Sequence, residues 1–351
     1  MRLTALLGAG RTAADVESDA LVSAPDLSVE PDVGGAIGAA SGSVTAGTEI
    51  AARSPLQLFW RRLKGDKVAI VAMAFIVLLI IVAIAAPLII DLVGARPPNE
   101  QSTKYLDSFG TPKGPSSSNI FGADPLGRDV FSRVLYGARV SLEVALIATA
   151  ISMVIGLVVG LFAGYYRGWV DTILSRLIDV LLAFPILLLA LGVASACSLG
   201  NGCLGGLVKP GLNVVIFVIA FANWTYIGRI VRGQVLSLRE KEFVQAAKAL
   251  GASNTRIMFR EILPNLVAPL IVYATLVIPQ NILFEAALSF LGVGVQPPDS
   301  SWGEMISEAT SIFDSAWWFM LFPGAALLLT VLAFNLLGDG LQDALNPRSS
   351  R

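Results

Sequence analysis

Few residues in this chain could do catalytic chemistry. Its 351 residues include no histidine, which excludes an imidazole base and a histidine-bound metal. No serine, threonine or cysteine is accompanied by an evident base, so a hydrolase would lack an activated nucleophile. The pattern G-x-x-x-x-G-K-[ST], whose backbone cradles ATP phosphates, is also absent. We therefore expect no catalytic residue, no metal site and no cofactor bound by this chain.

Glu285 is the most unusual charged residue, because it lies in the otherwise apolar stretch PQNILFEAALSF. A carboxylate at the centre of a bilayer costs at least about 2.5 kcal/mol, so it should face a protein interior or an aqueous path. One hypothesis places Glu285, with Ser289 and Phe290, along a solute pathway near the amino terminus of a substrate. The alternative is that Glu285 accepts hydrogen bonds from backbone amides and fixes the bend of the following LSFLGVG segment.

Two cysteines, Cys197 and Cys203, flank a glycine-rich connection, CSLGNGC. On the oxidising side of a membrane this spacing permits a disulfide. Such a bond would add only about 2 kcal/mol of stability, because the loop it closes is short. Free thiols are the alternative, and we prefer the disulfide.

The composition indicates that lipid surrounds much of the chain. Hydrophobic residues make up 55% of it and charged residues only 15%, against about 25% charged in soluble domains. The net charge of −1 and the lack of a long basic block argue against a nucleic-acid partner. Apolar runs that cross about 30 Å of hydrocarbon must be helical, since open strands would leave backbone groups unpaired. Six such runs predict an all-α polytopic membrane protein with six transmembrane helices, at about 68–90, 141–165, 177–195, 212–231, 267–291 and 317–337.

The distribution of lysine and arginine around these spans predicts their orientation. Sixteen lie on the side that carries both chain termini, and seven lie on the other side. Both termini are therefore expected in the cytoplasm, with the chain in a cytoplasmic membrane. Residues 1–52 are rich in Gly, Ala, Ser and Asp and are predicted to be a disordered cytoplasmic tail, which leaves 53–348 as the membrane domain.

Small and charged residues within the spans predict how the helices are held. Gly156, Gly160 and Gly164 lie four residues apart, a spacing that permits close helix packing. Packing within the chain is the preferred interpretation, and an interface with a second subunit is the alternative. Asp179 is expected to pair with Arg176.

The segments on the non-cytoplasmic side carry two further patterns. Tryptophans beside the last span, Trp302, Trp317 and Trp318, are expected to form an aromatic belt at the membrane surface. Charged residues before the second span run against the positive-inside trend and are expected to contact another protein; they are Arg128, Asp129, Arg133 and Arg139.

The stretch EFVQAAKALGASNTRIMFREILPN, 242–265, is a charged, helix-prone interruption between two apolar runs. Phe243, Ala246 and Leu250 recur at helical spacing, and Gly251 is a candidate to end that helix. A second short helix would start at Ser253 and end at Pro264. Periodicity alone leaves two interpretations open: an amphipathic segment on lipid headgroups, or a docking surface for another protein.

The same stretch, about 240–265, resembles the EAA loop of binding-protein-dependent ABC importers. That loop reads Glu-Ala-Ala, three residues, glycine, then isoleucine and Leu-Pro further on. Gln245 stands where the family often has glutamate, and Glu261 where histidine is common. The resemblance implies that a short coupling helix docks into a groove of a cytoplasmic ATPase. The implied coupling residues are Gln245, Ala246, Ala247, Leu250, Gly251, Arg256, Ile257, Ile262 and Pro264.

The resemblance extends over most of the chain, about 54–348, and points to the "C" inner-membrane subunit of the dipeptide/oligopeptide/nickel group. GADPLGRDVFSRVLYGARVSL at 122–142 and FEAALSFLGVGVQPPDSSWGEM at 284–305 are two of the stretches that carry it. It implies the transmembrane domain of a type I ABC importer in a bacterial cytoplasmic membrane. The implied partners are a second homologous permease subunit, two ABC ATPases that bind ATP and Mg, and an extracellular or periplasmic substrate-binding protein.

The resemblance also limits the substrate. Di- or oligopeptides are the implied cargo, and nickel, glutathione or another small solute are the alternatives. A more distant alternative is a secondary transporter that works without ATP. That class would show inverted repeats and several ionisable groups near mid-membrane, for which Glu285 alone is weak support.

Overall fold

The computed structural model describes residues 55–198 and 202–345. The predicted tail at 1–52 lies outside these described residues, and so does the end of the predicted membrane domain at 346–348. Within the described ranges the chain forms helices, and its few β-bridges are isolated. The predicted all-α class is therefore confirmed.

The described residues contain twelve α-helices. The first six are α1 Pro55–Gly65, α2 Lys67–Ile84, α3 Ala86–Val93, α4 Val130–Tyr166, α5 Gly168–Ala183 and α6 Ile186–Ser198. The other six are α7 Leu212–Arg239, α8 Glu242–Ala249, α9 Asn254–Arg256, α10 Leu263–Phe290, α11 Trp302–Ala309 and α12 Trp317–Leu345. A π-helical turn, Ile257–Ile262, joins α9 to α10. Because α10 runs from α8 to α11, we name the two ends of the bundle the α8 end and the α11 end.

Five helices of the described part are each long and apolar enough to cross a membrane: α2, α4, α7, α12 and the continuous helix Asn254–Phe290. The third predicted span, 177–195, has a different shape, because α5 and α6 meet there at 90°. Phe184 between them is extended, with φ −80° and ψ 139°. Pro185 disfavours a helical conformation at the residue before it and supplies no N–H to continue the helix. The predicted span at 177–195 therefore falls on a bent pair of helices, which is long and apolar enough to cross a membrane when α5 and α6 are counted together.

The first predicted span, 68–90, is also divided. α2 ends at Ile84, and α3 starts at Ala86 with Pro87 in its first turn. Since Pro87 has no N–H, the regular hydrogen-bond ladder cannot pass through it, and the helix restarts. The second span begins earlier than predicted, at Val130, where the Asp129 carboxylate accepts a hydrogen bond of 3.0 Å from the Ser132 N–H.

α4 and α7 pack through the glycine face of α4. A Cβ atom built on Gly156 would lie 2.6 Å from Ile227 Cγ2, and one on Gly160 would lie 2.6 Å from the Gly228 carbonyl oxygen. One on Gly164 would lie 2.7 Å from a side-chain carbon of Val235. These distances leave no room for a side chain, so the glycines let two helix backbones approach closely. The preferred interpretation, packing within the chain, is confirmed.

Ion pairs join α5 to α7. Asp171 receives two hydrogen bonds from the Arg232 guanidinium, and Asp179 receives one from Arg229. The predicted pair between Asp179 and Arg176 is therefore wrong. α7 lies alongside α5 and brings a guanidinium to Asp179 from outside its own helix.

A buried cluster of charges lies at the α11 end. The Arg133 guanidinium is 1% exposed and bonds to Glu304 at 2.8 Å, to Glu308 at 3.0 Å and to Asp124. Arg128 bonds to Asp124 and, at 3.0 Å, to Glu308. The partners of both arginines are thus carboxylates of the same chain, and the expectation that another protein supplies them was wrong. Of the four charged residues in that expectation, Asp129 caps α4 and Arg139 is exposed.

Two of the three predicted belt tryptophans are buried at the same end. The Trp302 indole N–H donates to the Val134 carbonyl oxygen and that of Trp318 donates to the Ala123 carbonyl oxygen, each over 3.1 Å. Both indoles fill space between α11, α12 and the start of α4, which satisfies their apolar and polar parts together. Only Trp317, which is 50% exposed, is placed as a belt residue would be.

Candidate coupling loop

The loop at the α8 end is built around Gly251. The Ala252 N–H donates to the Ala247 carbonyl oxygen over 3.0 Å, and the Gly251 N–H donates to that of Lys248 over 2.9 Å. These two bonds form a Schellman motif, which requires a left-handed residue just after the helix. Gly251 adopts φ +79°, a conformation that residues with a Cβ atom rarely take. The sequence pattern of α8 and its glycine therefore produces a sharp, defined turn.

The second half of the loop differs from the prediction that Pro264 ends a short helix. Ser253 accepts a hydrogen bond from the Arg256 N–H over 3.4 Å and starts α9, as expected of a cap. The helix then continues through the π turn into α10, where the Leu263 N–H reaches back five residues to the Met258 carbonyl oxygen. Pro264 sits in the first turn of α10, where its missing N–H is tolerated. The wider π turn lets the helix pass the proline without stopping.

One side of the loop is buried in the helix bundle. Val244, Ile257 and Ile262 are at most 1% exposed and pack with Tyr165 of α4 and Val235 of α7. Burial of each large apolar side chain stabilises the folded state by about 1.5–3 kcal/mol. The loop is therefore mounted rigidly on the long helices.

The other side of the loop is open. Leu250 is 88% exposed and Phe243 is 40% exposed. The nine residues predicted to couple thus divide into two groups. Ile257 and Ile262 are buried and anchor the loop, while Ala247 is half-buried. The exposed ones are Gln245, Ala246, Leu250, Gly251, Arg256 and Pro264.

Sequence reasoning missed the residues that fasten the loop. The Tyr165 hydroxyl donates to Asn254 over 2.8 Å, and the Arg239 guanidinium donates to the Tyr165 carbonyl oxygen. The pair Tyr165–Asn254 spans 89 positions of the chain, so no local pattern could have indicated it. Val244, the buried residue of α8, is apolar but falls outside the spacing that Phe243 and Leu250 follow.

Glu285, the candidate pathway residue, is fully buried in α10. Ser141 of α4 donates to its Oε2 atom over 2.9 Å, and Ser289 donates to its Oε1 atom over 2.7 Å. The Ser289 hydroxyl also accepts a hydrogen bond of 3.0 Å from the Val295 N–H, which lies beyond the turn that follows α10. These contacts have the form expected if Glu285 fixes that bend. Phe290, the third candidate, is 46% exposed and lies apart from this network.

Cys197 and Cys203 are joined by a disulfide at the end of α6. The bond closes the connection between α6 and α7 and lies beside the core that α4, α6 and α7 share. In the described ranges, no three His, Cys, Asp or Glu residues come together in a way that could hold a metal ion.

Comparison with known proteins identifies the family. Residues 156–351 match the model of the binding-protein-dependent transport system inner membrane component, and residues 54–107 match the N-terminal membrane domain of oligopeptide transport permease C. The chain belongs to the binding-protein-dependent permease family. The first match covers the coupling loop, α7, α10 and the end of α4 that carries Gly156, Gly160 and Gly164. The loop is thus part of an ABC importer permease of the "C" type.

Individual permease proteins and one solved structure are also similar to this chain. The dipeptide transport system permease protein DppC of Alkalihalophilus pseudofirmus is 42% identical over 297 residues, which are 84% of this chain and 90% of DppC. The glutathione transport system permease protein GsiD of Salmonella typhimurium is 45% identical over 296 residues, 84% of this chain and 91% of GsiD. A chain of the MetNI methionine ABC transporter, in an inward-facing structure, is 19% identical. It covers 61% of this chain and 96% of its own length, with a TM-score of 0.51.

These matches decide between the transporter classes. The likeness to MetNI shows the fold of an ABC importer transmembrane domain. A permease subunit of this family is not itself an ATPase, and it is a multi-pass membrane protein. The ATP-independent secondary transporter, kept as an alternative from the sequence, is thereby set aside.

Proposed function

We propose that this chain is one of two permease subunits that together form the path of di- or oligopeptides through an ATP-driven importer. One observation carries the coupling part of the proposal. α8 presents the apolar side chains of Phe243 and Leu250 to the outside, on a loop whose other side is buried in the bundle. Exposed apolar residues on a loop that is fixed to the helix bundle are typical of a surface that binds another protein. The name of the DppC relative supports peptides as the substrate class.

The same surface supports the proposed partners. Two ABC ATPases, which bind ATP and Mg, would hold α8 and its counterpart on a second homologous permease. When the ATPases close, α8 moves, and its buried contacts through Ile257 and Ile262 carry α4, α7 and α10 with it as nearly rigid bodies. A substrate-binding protein at the α11 end would have to favour one of the two states, since a partner without that preference could not drive the cycle.

The orientation supports this assignment of ends. The α8 end carries Lys241, Lys248, Arg256 and Arg260, as expected for a cytoplasmic surface in the bacterial inner membrane. Both chain termini are then cytoplasmic, because α1 and the end of α12 lie at that same end. The disulfide between Cys197 and Cys203 falls at the opposite end, on the oxidising side.

Glutathione is a second candidate substrate, because the GsiD relatives are as similar to this chain as DppC is. Uptake of a labelled dipeptide into cells that make the complete importer tests the choice. Competition by excess unlabelled dipeptide, without competition by glutathione, supports the dipeptide. If the labelled dipeptide is not taken up and labelled glutathione is, glutathione is the substrate.

The coupling surface is tested by two leucines that are almost equally exposed at opposite ends of the bundle. Leu250 is 88% exposed at the α8 end, and Leu207 is 84% exposed at the α11 end. Leu250→Asp should reduce ATPase co-purification and ATP-driven uptake at least about tenfold, the effect of about 1.4 kcal/mol. Leu207→Asp should leave ATPase co-purification unchanged.

The two variants should fold equally well, because neither leucine is packed in the bundle. If both variants retain the ATPase, α8 is not the docking surface. If the native chain purifies alone and moves solute without ATP, the importer proposal is wrong and the loop is a lipid-surface segment.

A further inference from the structure

A cleft of about 470 Å³ opens between α7 and α10 beside the start of α6. Four of its lining residues carry polar, uncharged side chains: Asn223 and Tyr226 from α7, and Tyr273 and Gln280 from α10. The rest of the lining is apolar, and it consists of Ile186, Ile227, Leu276, Val277 and Phe284. No Asp, Glu, Lys or Arg is among these residues.

The polar side chains of the cleft lie within the predicted membrane spans 212–231 and 267–291. Tyr226 is at the midpoint of α7, which runs from Leu212 to Arg239, and it is 58% exposed. Gln280 is exposed well inside α10. An amide or hydroxyl in hydrocarbon without a hydrogen-bond partner costs several kcal/mol. Contact between lipid tails and the polar residues of the cleft would therefore be unfavourable.

The free hydrogen-bonding capacity of the cleft supports this. Within the described part of the chain, no hydrogen bond engages the hydroxyls of Tyr226 and Tyr273 or the amide of Gln280. The side chain of Asn223 is held in place by hydrogen bonds to residues outside the cleft. Its amide donates to Asn281 Oδ1 over 2.6 Å, and the Asn281 amide donates to Thr149 over 2.8 Å. Asn223 is thus fixed in position, whereas the polar groups of Tyr226, Tyr273 and Gln280 are free to form hydrogen bonds with a molecule in the cleft.

A second groove shows what a lipid-facing surface of this chain looks like. It lies between α2 and α12, and apart from Lys67 at its end it is lined by apolar residues such as Val71, Phe75 and Leu332. Apart from Lys67, the residues of that groove have no polar side chain that would need hydration. The contrast indicates that the cleft between α7 and α10 faces water or a polar partner and not lipid.

The charges nearest to the cleft neutralise each other. Arg229 follows Tyr226 by three residues on α7, so it lies about one turn closer to the α8 end, where it pairs with Asp179 of α5. A solute that moves through the cleft toward the α8 end therefore passes an ion pair, with no single uncompensated charge. Neutral amides and hydroxyls can exchange hydrogen bonds with peptide groups whatever side chains those peptides carry.

From these observations we infer that the cleft is this subunit's share of the passage and that it holds peptides by their backbone amides, independently of their net charge. The inference rests on the proposed function for the identity of the solute. It differs from the pathway hypothesis based on Glu285, because Glu285 is buried, does not line the cleft and is bonded to Ser141 and Ser289.

Water access is tested first, with single cysteines in the complete transporter in permeabilised membranes. The two native cysteines are bonded to each other, so an introduced cysteine provides the free thiol. Gln280→Cys and Tyr226→Cys should react with a charged methanethiosulfonate reagent at least about tenfold faster than Leu283→Cys, because the reactive thiolate forms only in water. Leu283 is the matched control on α10, 48% exposed and outside the cleft. Equal rates for all three variants would overturn the inference.

Peptide contact is tested with variants that keep the volume and remove the hydrogen-bonding group. Tyr226→Phe and Gln280→Met should each lower uptake of Ala-Ala, Ala-Glu and Ala-Lys by a similar factor of about five, the effect of one lost hydrogen bond. Leu283→Met should change none of the three. Loss of uptake for only one charge class, or no loss at all, contradicts recognition through the backbone.

The two tests separate this inference from the proposed function. The labelling rates report water in the cleft even if no ATPase binds and no peptide is carried. Retained ATPase with lowered uptake in Gln280→Met places the defect in the passage, whereas a lost ATPase would place it in assembly and count against the inference.

Discussion

The Tyr165 hydroxyl donates a hydrogen bond to the Asn254 Oδ1 atom over 2.8 Å and so joins the end of α4 to the start of α9. The backbone carbonyl of the same tyrosine accepts a hydrogen bond from Arg239 at the end of α7. Tyr165 is thus one point at which the coupling loop meets both long helices. Part of a movement imposed on the loop would reach α4 and α7 through this residue, and the rest through the buried contacts of Ile257 and Ile262.

The first prediction concerns that contact. Tyr165→Phe keeps the packed ring and removes the hydrogen bond to Asn254, at a cost of about 1 kcal/mol. We expect the ATPase to co-purify as before and uptake per bound ATPase to fall, because the loop is held less firmly. Tyr166→Phe is the control, since Tyr166 is the 43% exposed neighbour. Unchanged uptake in Tyr165→Phe would show that the apolar contacts alone carry the movement.

The second prediction concerns the helix pair α4 and α7. Gly160→Ala would place a Cβ atom 2.6 Å from the Gly228 carbonyl oxygen and 2.7 Å from Val231 Cβ. Because both neighbours are backbone or branched carbon, we expect a loss of about 1–3 kcal/mol of unfolding free energy. Gly192→Ala, in α6, meets no atom within 4 Å and should leave stability unchanged. Thermal unfolding in detergent measures both, and equal stability of the two variants would contradict the packing.

The third prediction concerns pH. Burial disfavours the charged form of Glu304 more than Arg133 favours it, which raises the pKa of Glu304 from 4.5 to about 7. Its cluster holds three carboxyl groups, including Asp124 and Glu308, but only two guanidinium groups, so one carboxyl group lacks a counter-charge. Between these two pKa values the native state keeps a proton that the unfolded state releases. The free energy of unfolding should therefore fall as pH rises from about 4.5 to about 7 and become level above that.

Glu304→Gln should flatten this pH dependence, since the amide stays neutral throughout. Denaturant unfolding at several pH values measures the slope. A smaller slope of the same sign should remain, because burial also raises the pKa of Asp129. An unchanged slope in Glu304→Gln would show that another group is responsible.

The fourth prediction decides between the two hypotheses for Glu285. Glu285→Ala removes the partner of the Ser141 and Ser289 hydroxyls and leaves a cavity, so we expect a loss of about 2–3 kcal/mol. Glu285→Gln keeps the shape and one acceptor oxygen, and it should assemble normally. If its peptide uptake also equals that of the native chain, the carboxylate does not serve the pathway. A large loss of uptake with normal assembly would restore the pathway hypothesis.

Much of the fold could be predicted because its signals are local. Continuous apolar runs must be helical in lipid, and the positions of α2, α7, α10 and α12 follow from that alone. The ends of the helices were also readable where one residue type makes the end: Gly251 takes a left-handed conformation that few other residues tolerate. Pro185 was a local signal for the break between α5 and α6 at Phe184. The prediction of one span at 177–195 gave more weight to the continuous apolar composition.

Pro264 shows why such a signal can mislead. A proline ends a helix only if its missing N–H and its ring leave the preceding turn unsatisfied. Here a π turn before it absorbs the mismatch, and the helix continues from Asn254 to Phe290. The choice between stopping and continuing depends on whether the resulting helix can bury Ile257 and Ile262, and that burial is a property of the packed bundle.

The sequence by itself determined that the chain is helical and membrane-embedded, and it contains a short loop that resembles a known coupling loop. The first two conclusions rest on composition and periodicity, which depend on near neighbours in the chain, whereas the loop was identified by its resemblance to a known family. Only the tertiary structure decided that Arg133 meets Glu304, that Glu285 meets Ser141 and that Tyr226 and Gln280 share one cleft. These partners lie far apart along the chain, up to 171 positions for Arg133 and Glu304, and no local pattern specifies them. Close packing of the helices brings these residues together, and for the buried groups of Arg133 and Glu285 it leaves one place in which their hydrogen bonds can be made.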